Sequence, residues 1–283
     1  MSASGTHESP EASVDAGGKD RYVMGRSKSS SSIEVASKTD RGLVRSENED
    51  CHLVLDFAGS KLASAGLTKL LAVADGLGGH AAGGTASHMA IDCLREAFTG
   101  PITARLSSRD KALEALVQSF AEANSRIHTA GAPSASLRGM GTTLVAALIG
   151  KTGVDICNVG DSRAYVFNES EGLRQITKDH SWEAEFGQHL QAGSAELARA
   201  SNLLTRALGP QAEVEADVFS ESIKSGEILL LCSDGLTGMI DHEEVVSVLA
   251  DSKSMKAAVE EFVDRANKYG GEDNITVIAA RFS

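Results

Sequence analysis

Two stretches of the chain end an apolar run in the same three residues: LLAVADGLGG at 70–79 and ILLLCSDGLTG at 228–238. An apolar run of this length bounded by glycine is the pattern of a strand buried on both faces, so the fold must sandwich these strands between other layers. Asp75 and Asp234 then stand where buried strands end. A carboxylate buried there without a partner is costly, and the sequence offers few bases nearby to neutralise either acid. A hard divalent cation is the partner that suits oxygen ligands, so the repeated Asp-Gly-Leu reads as the start of a metal site.

The bulk numbers bound the alternatives. The chain has 283 residues, 42% hydrophobic and 23% charged, enough for a sizeable core in one large or two small domains. No apolar run approaches the ~18 residues of a membrane span, and the N-terminus has no basic-then-apolar leader pattern. A cytoplasmic protein with no membrane contact is expected. Cys51, Cys93, Cys157 and Cys232 are scattered in apolar stretches with no CxxC pair, and read as buried thiols rather than a disulfide frame or zinc site. The formal charge of −12 argues against nucleic-acid binding and requires compensating cations if the ligand is a phosphate.

Residues 1–32 are rich in Ser and Gly and poor in large apolar residues, which predicts a disordered tail; a folded domain is expected over 33–283. Strands are predicted at 33–38, 51–57, 69–74, 142–149, 153–159, 163–168, 172–176, 214–219, 227–233 and 274–282. Leu113, Leu116, Val117, Phe120 and Ile127 predict one face of a helix over 109–129, capped by Ser107 or Ser108. Ala258, Val259, Phe262, Val263 and Ala266 predict another over 254–268, closed by Gly270 and Gly271. A third starts near His80 and runs to Phe98. Short strand connections and paired helices predict an α+β layered domain with antiparallel sheets. Residues 178–208 read as an excursion over one edge, with Trp182 and Phe186 packing within it.

Glu49, Asp50, Asp75, Asp161, Asp234 and Asp273 all fall at strand boundaries. If those boundaries share one end of the sheets, the acids converge on a cleft able to hold two or three Mg²⁺ or Mn²⁺ ions. Glycine after Asp75 and Asp234 is expected to let the backbone turn tightly, and the Gly76 carbonyl is able to approach an ion. Two metals sharing a carboxylate activate a water between them, and the matching substrate is a phosphoryl group clamped by a guanidinium. Arg45, four residues before Glu49, is the candidate clamp.

The blocks TDRGLVRSENED, LLAVADGLGGHAAGGTAS, GMGTTLVAALI, CNVGDSRAYVF, ITKDHSW, LLTRALG, LLLCSDGLTGMI and GGEDNITVIAARF occur in the order found in the PPM (type 2C) metal-dependent serine/threonine protein phosphatases. The resemblance spans about 34–283, and DGxGGH is similar to the family's bacterial branch. It implies a four-layer αββα sandwich, two antiparallel sheets flanked by antiparallel helix pairs, with a binuclear Mn²⁺/Mg²⁺ centre at the sheet ends. By motif, Asp75 bridges two ions; Asp234 and Asp273 complete one, Glu49 and the Gly76 carbonyl the other. Asp161 anchors a third, and Arg45 binds the substrate phosphate. A metal-bridging water is the implied nucleophile, acting on phosphoserine and phosphothreonine in proteins, opposite a Ser/Thr kinase, with the chain a monomer. The excursion corresponds to the family's flap, although ELARASNLLTR lacks the His-Pro pair of many relatives. Leu77 occupies the position where eukaryotic members carry a histidine as candidate general acid, so protonation is expected from a water on the Asp161-held metal. His80 is read as a packing residue. Two alternatives remain: a small phosphomonoester hydrolase, and a silent phosphoprotein-binding regulator of the same fold.

Overall fold

Alternate residues of one strand enter different cores. In the computed structural model, Leu70, Ala72 and Ala74 of β3 (Leu67–Ala74) face one apolar cluster, while Leu71 and Val73 face another. This is the period-2 geometry of a strand covered on both sides. The structure describes residues 32–78, 81–132, 137, 139–151, 153–187 and 203–283. The tail up to residue 31, His80 and the middle of the predicted flap lie outside them.

Residues Ser31–Ser283 form one compact unit built on two five-stranded antiparallel sheets. One sheet has the order β1-β12-β11-β8-β9, comprising β1 (Ile33–Asp40), β12 (Ile275–Phe282), β11 (Ile228–Cys232), β8 (Arg163–Asn168) and β9 (Gly172–Gln175). The other has the order β10-β7-β6-β3-β2, adding β10 (Asp217–Glu221), β7 (Val154–Val159), β6 (Leu144–Gly150) and β2 (Cys51–Asp56). A short ribbon pairs β4 (Gly76–Leu77) with β5 (Gly141–Thr142).

Helices cover both outer faces. After the one-turn α1 (Lys61–Ser64), α2 (Ala81–Thr99) and α3 (Arg109–Gly131) bury Ala90, Leu94, Leu116, Phe120 and Ile127 on the β3/β6/β7 face. Two short helices follow, α4 (Trp182–Phe186) and α5 (Asp234–Thr237). On the other sheet, α6 (His242–Asp251) and α7 (Met255–Lys268) bury Val245, Leu249, Val259 and Phe262. The third core lies between the sheets. The αββα layering implied by the motifs is the observed architecture.

Ser108 caps α3, accepting the Lys111 N–H, and Gly271, with φ 52°, ends α7 by donating to the Ala266 carbonyl. Three expectations are corrected. Val117 is 37% exposed, because it lines an open surface groove with Val218 of the edge strand β10 instead of entering the core. The strand expected at 214–219 is Asp217–Glu221, set by pairing with β7 from Asp217↔Asn158 to Glu221↔Val154. The helix α6 is additional to the expected ones, although its signature is present: Asp241 accepts the Glu244 N–H and the Glu244 carboxylate accepts the Asp241 N–H, a capping box. All four cysteines are free thiols, three of them buried.

Candidate metal centre

The two Asp-Gly-Leu turns are built differently. After β3, Gly76 continues extended into β4; after β11, Ser233 becomes the N-cap of α5, so Asp234 starts a helix rather than ending a strand. Neither Gly76 nor Gly235 has a positive φ, so the expected tight turn is not the reason for glycine. Close approach is. A Cβ on Gly76 would stand 2.6 Å from the Glu49 carbonyl oxygen and overlap the Gly83 backbone, and one on Gly235 would overlap the Asn274 carbonyl. Each glycine thereby draws an acid-bearing turn onto another: Gly76 onto Glu49, and Gly235 onto Asp273–Asn274.

Asn274 holds these pieces together. Its Oδ1 accepts the Glu49 N–H at 2.7 Å, while its Nδ2 donates to the Arg41 and Glu47 carbonyls, each at 2.9 Å. The Glu49 carbonyl accepts from Ser87 Oγ at 2.6 Å. On the other side of the centre, Thr143 Oγ1 accepts the Asp75 N–H at 3.0 Å and lies 2.7 Å from Ser162 Oγ, joining the Asp75 and Asp161 turns. Sequence reasoning passes over Asn274, Thr143 and Ser162, whose only signal is membership of the GGEDNITV, GMGTT and NVGDSR blocks.

The acids interact as a set. Burial, then the charges of Asp50 and Asp234, raise Asp75 well above the usual carboxylate range, and Asp75 shares a hydrogen bond with Asp234. Asp50, 5% exposed, is pushed up to about 7 chiefly by burial, against hydrogen bonds from Thr276 and Ser233, with Asp234 and Asp273 adding to the rise. Asp161 is likewise raised to about 7 by burial, then by Asp234 and Asp179, with Arg163 opposing. Burial is also the largest cause for Asp234. Asp50, Asp75, Asp161, Asp234 and Asp273 therefore feel one another's charge, as the convergence on one cleft requires.

Among the described residues, no three His, Cys, Asp or Glu side chains close on a single point as a finished cage. Like charges gain nothing by closing on each other, and a hard cation completes its coordination with waters rather than a closed protein cage. Asp50 Oδ1 and Asp234 Oδ1 are buried without a hydrogen-bond partner. Buried carboxylate oxygens left bare, with only oxygen donors around them, fit Mg²⁺ or Mn²⁺ and not zinc. Arg45 reaches the mouth of the centre, its Nη2 donating to Asp273 Oδ2 at 2.6 Å, with both side chains partly exposed. In the excursion, the Trp182 and Phe186 rings lie 5.5 Å apart in α4, and Phe186 is 44% exposed.

Residues 55–277 match the sequence model of the family described as protein phosphatase 2C. The chain is 39% identical to the serine/threonine phosphatase stp of Listeria welshimeri over 246 residues, covering 85% of this chain and 92% of that protein. It is 34% identical to the protein phosphatase PhpP of Streptococcus pneumoniae over 251 residues, 87% and 96% of the two chains. Its fold matches the serine/threonine phosphatase Stp1 from Staphylococcus aureus with a TM-score of 0.79 at 30% identity, covering 92% of this chain and all of that one. The catalytic domain of the phosphatase PstP, solved in complex with two manganese ions, matches with a TM-score of 0.73 at 32% identity, covering 88% and 98%. Sequence and layering agree, and the chain belongs to the protein phosphatase 2C family of serine/threonine protein phosphatases.

Proposed function

We propose that the acid cluster is the catalytic centre of this phosphatase and that it works with two to three Mn²⁺ or Mg²⁺ ions. The observation that carries the reading is the gathering of five carboxylates from five separate turns, with bare buried oxygens on Asp50 and Asp234. Asp75, Asp234 and Asp273 would hold one ion, and Asp75, Glu49 and the Gly76 carbonyl the other. Asp161 would hold a third. When bound, the ions would supply electrophilic charge and a water of lowered pKa.

The chain's own residues account for the rest. Arg45 binds the substrate phosphate, its guanidinium fork matching two phosphoryl oxygens once it leaves Asp273. Asn274 keeps the Arg41–Glu49 loop, and so Arg45, in register with the acids. The substrates are phosphoserine and phosphothreonine in proteins, with a Ser/Thr kinase as opposing enzyme, and the setting is the cytoplasm. Among the described residues no helix is long and apolar enough to cross a membrane, and free buried thiols suit a reducing compartment.

The test is Asp75→Asn and Asp234→Asn, assayed with p-nitrophenyl phosphate and a phosphothreonine peptide at saturating Mn²⁺. Hydrolysis of both is lost while far-UV circular dichroism is unchanged. Retained metal-dependent turnover in either variant would refute the assignment.

A further inference from the structure

The turn that carries Asp161 is gripped by one buried residue outside the acid cluster. His180, between β9 and α4, is 0% exposed. Its Nδ1 accepts the Gly160 N–H at 3.1 Å, and its backbone N–H donates to the Gly160 carbonyl at 3.0 Å. Both backbone groups of Gly160 are thus engaged by a single residue. The accepting role of Nδ1 assigns the proton of the neutral ring to Nε2, which lies 3.2 Å from Asp217 Oδ2. That contact is poorly aligned for a hydrogen bond, and Asp217 has its better donor in Arg206, whose Nη1 is 2.7 Å from Oδ1.

The opposite side of the turn is equally constrained. Gly160 has φ 106°, and a Cβ there would stand 2.6 Å from Thr143 Cβ. Thr143 is the residue whose hydroxyl takes the Asp75 N–H. Gly160 is therefore wedged between Thr143 and His180, with Asp161 next in the chain. His180 also reaches away from the centre: its carbonyl accepts the Thr205 N–H at 2.9 Å, in the segment by which the chain returns from the excursion.

We propose that His180 is a positioning residue: its imidazole fixes the Gly160–Asp161 turn for cation binding, and its backbone carbonyl ties that turn to the returning segment at Thr205. The inference rests on the reading of Asp161 as a metal ligand. Two neutral substitutions separate the ring nitrogens. His180→Asn puts a carbonyl oxygen where Nδ1 stands and keeps an acceptor for the Gly160 N–H. His180→Gln extends toward Asp217 and leaves the Gly160 N–H buried without its acceptor.

The experiment is calorimetric titration of Mn²⁺ into metal-stripped full-length protein, for wild type, His180→Asn, His180→Gln and Asp161→Ala, with Tm measured for each. Wild type binds in a tight class and a weaker class, and Asp161→Ala loses the weaker class alone. His180→Asn retains the weaker class, and His180→Gln weakens it about tenfold or more, the usual effect of removing a support behind a metal ligand, with the tight class intact. If Asp161→Ala binds Mn²⁺ as wild type does, the ligand reading of Asp161 fails, and this inference with it. If Asp161→Ala loses the weaker class but His180→Gln keeps it, the inference alone fails. Equal weakening of every class in both His180 variants, in step with a lowered Tm, marks a merely structural residue and also overturns it.

Discussion

Asn274 Oδ1 accepts the Glu49 N–H at 2.7 Å, across 225 positions of sequence. With its two donations to the Arg41 and Glu47 carbonyls, one amide side chain fastens the loop carrying Arg45 and Glu49 to the turn carrying Asp273. Asn274→Ala removes three hydrogen bonds at once. At about 1 kcal/mol each, the loss is roughly 3 kcal/mol. Thermal melting should shift down by about 6–12 °C for a domain of this size, and kcat/KM should fall with it. Unchanged melting would show that the loop is held elsewhere.

Arg45 faces Asp273 across a partly solvated ion pair. Such pairs contribute about 0–1 kcal/mol to stability, so Arg45→Ala should melt within a few degrees of wild type. Its effect belongs in catalysis: kcat/KM for a phosphopeptide drops at least about tenfold, as expected when a charge-assisted hydrogen bond worth ~1.5–3 kcal/mol is lost. Arg45→Lys restores only part, because an ammonium cannot fork onto two oxygens. Steady-state kinetics on the three proteins, beside their melting curves, checks both halves.

The buried acids make stability depend on pH in the absence of metal. Asp50 and Asp161 ionise near 7 in the folded chain but near ~4 when unfolded. The folded state therefore holds protons that the unfolded state has released, and this contribution is complete below the unfolded value and lost as pH rises through about 7. In EDTA, Tm should fall between about pH 5 and 8. Saturating Mn²⁺ should flatten or reverse the slope, since cations then offset the charge that protons neutralised. A metal-free Tm that rises across this range would contradict the grouping of the acids.

Arg109 and Asp155 provide a contrast outside the centre. Arg109 Nε and Nη2 donate to the two Asp155 oxygens at 2.6 and 2.8 Å, and Ser220 Oγ adds a third bond at 2.7 Å. The Asp155 side chain is 3% exposed and that of Arg109 36%. Stranding a buried charge costs about 3–5 kcal/mol, which solvent on the Arg109 side reduces to roughly 2. Arg109→Ala should lower the urea midpoint and leave kcat/KM of the folded fraction unchanged.

Much of this architecture is legible in the chain. Strand identity follows from local alternation, as in β3, where neighbouring residues must face different layers. The acids stand out because each interrupts or flanks an apolar run. Helix faces follow from 3.6-residue spacing, but Val117 marks the limit of that inference: periodicity gives the apolar stripe of α3, and only the tertiary packing leaves Val117 in a groove beside Val218 rather than in the core.

What tertiary structure alone decided is which turns touch. Gly76 and Gly235 read in sequence as conformational glycines, and their backbones instead lack room for a Cβ against Gly83, Glu49 and Asn274. No local pattern announces contacts so distant in sequence. Asn274 and His180 are ordinary polar residues in the sequence; buried, each sets side-chain polar atoms on the backbone of a turn that bears an acid. The sequence determined the layers and supplied the carboxylates, because burial patterns are local. Their convergence into one centre is a property of the packed sheets, because mutual charge and shared hydrogen bonds exist only once those turns meet.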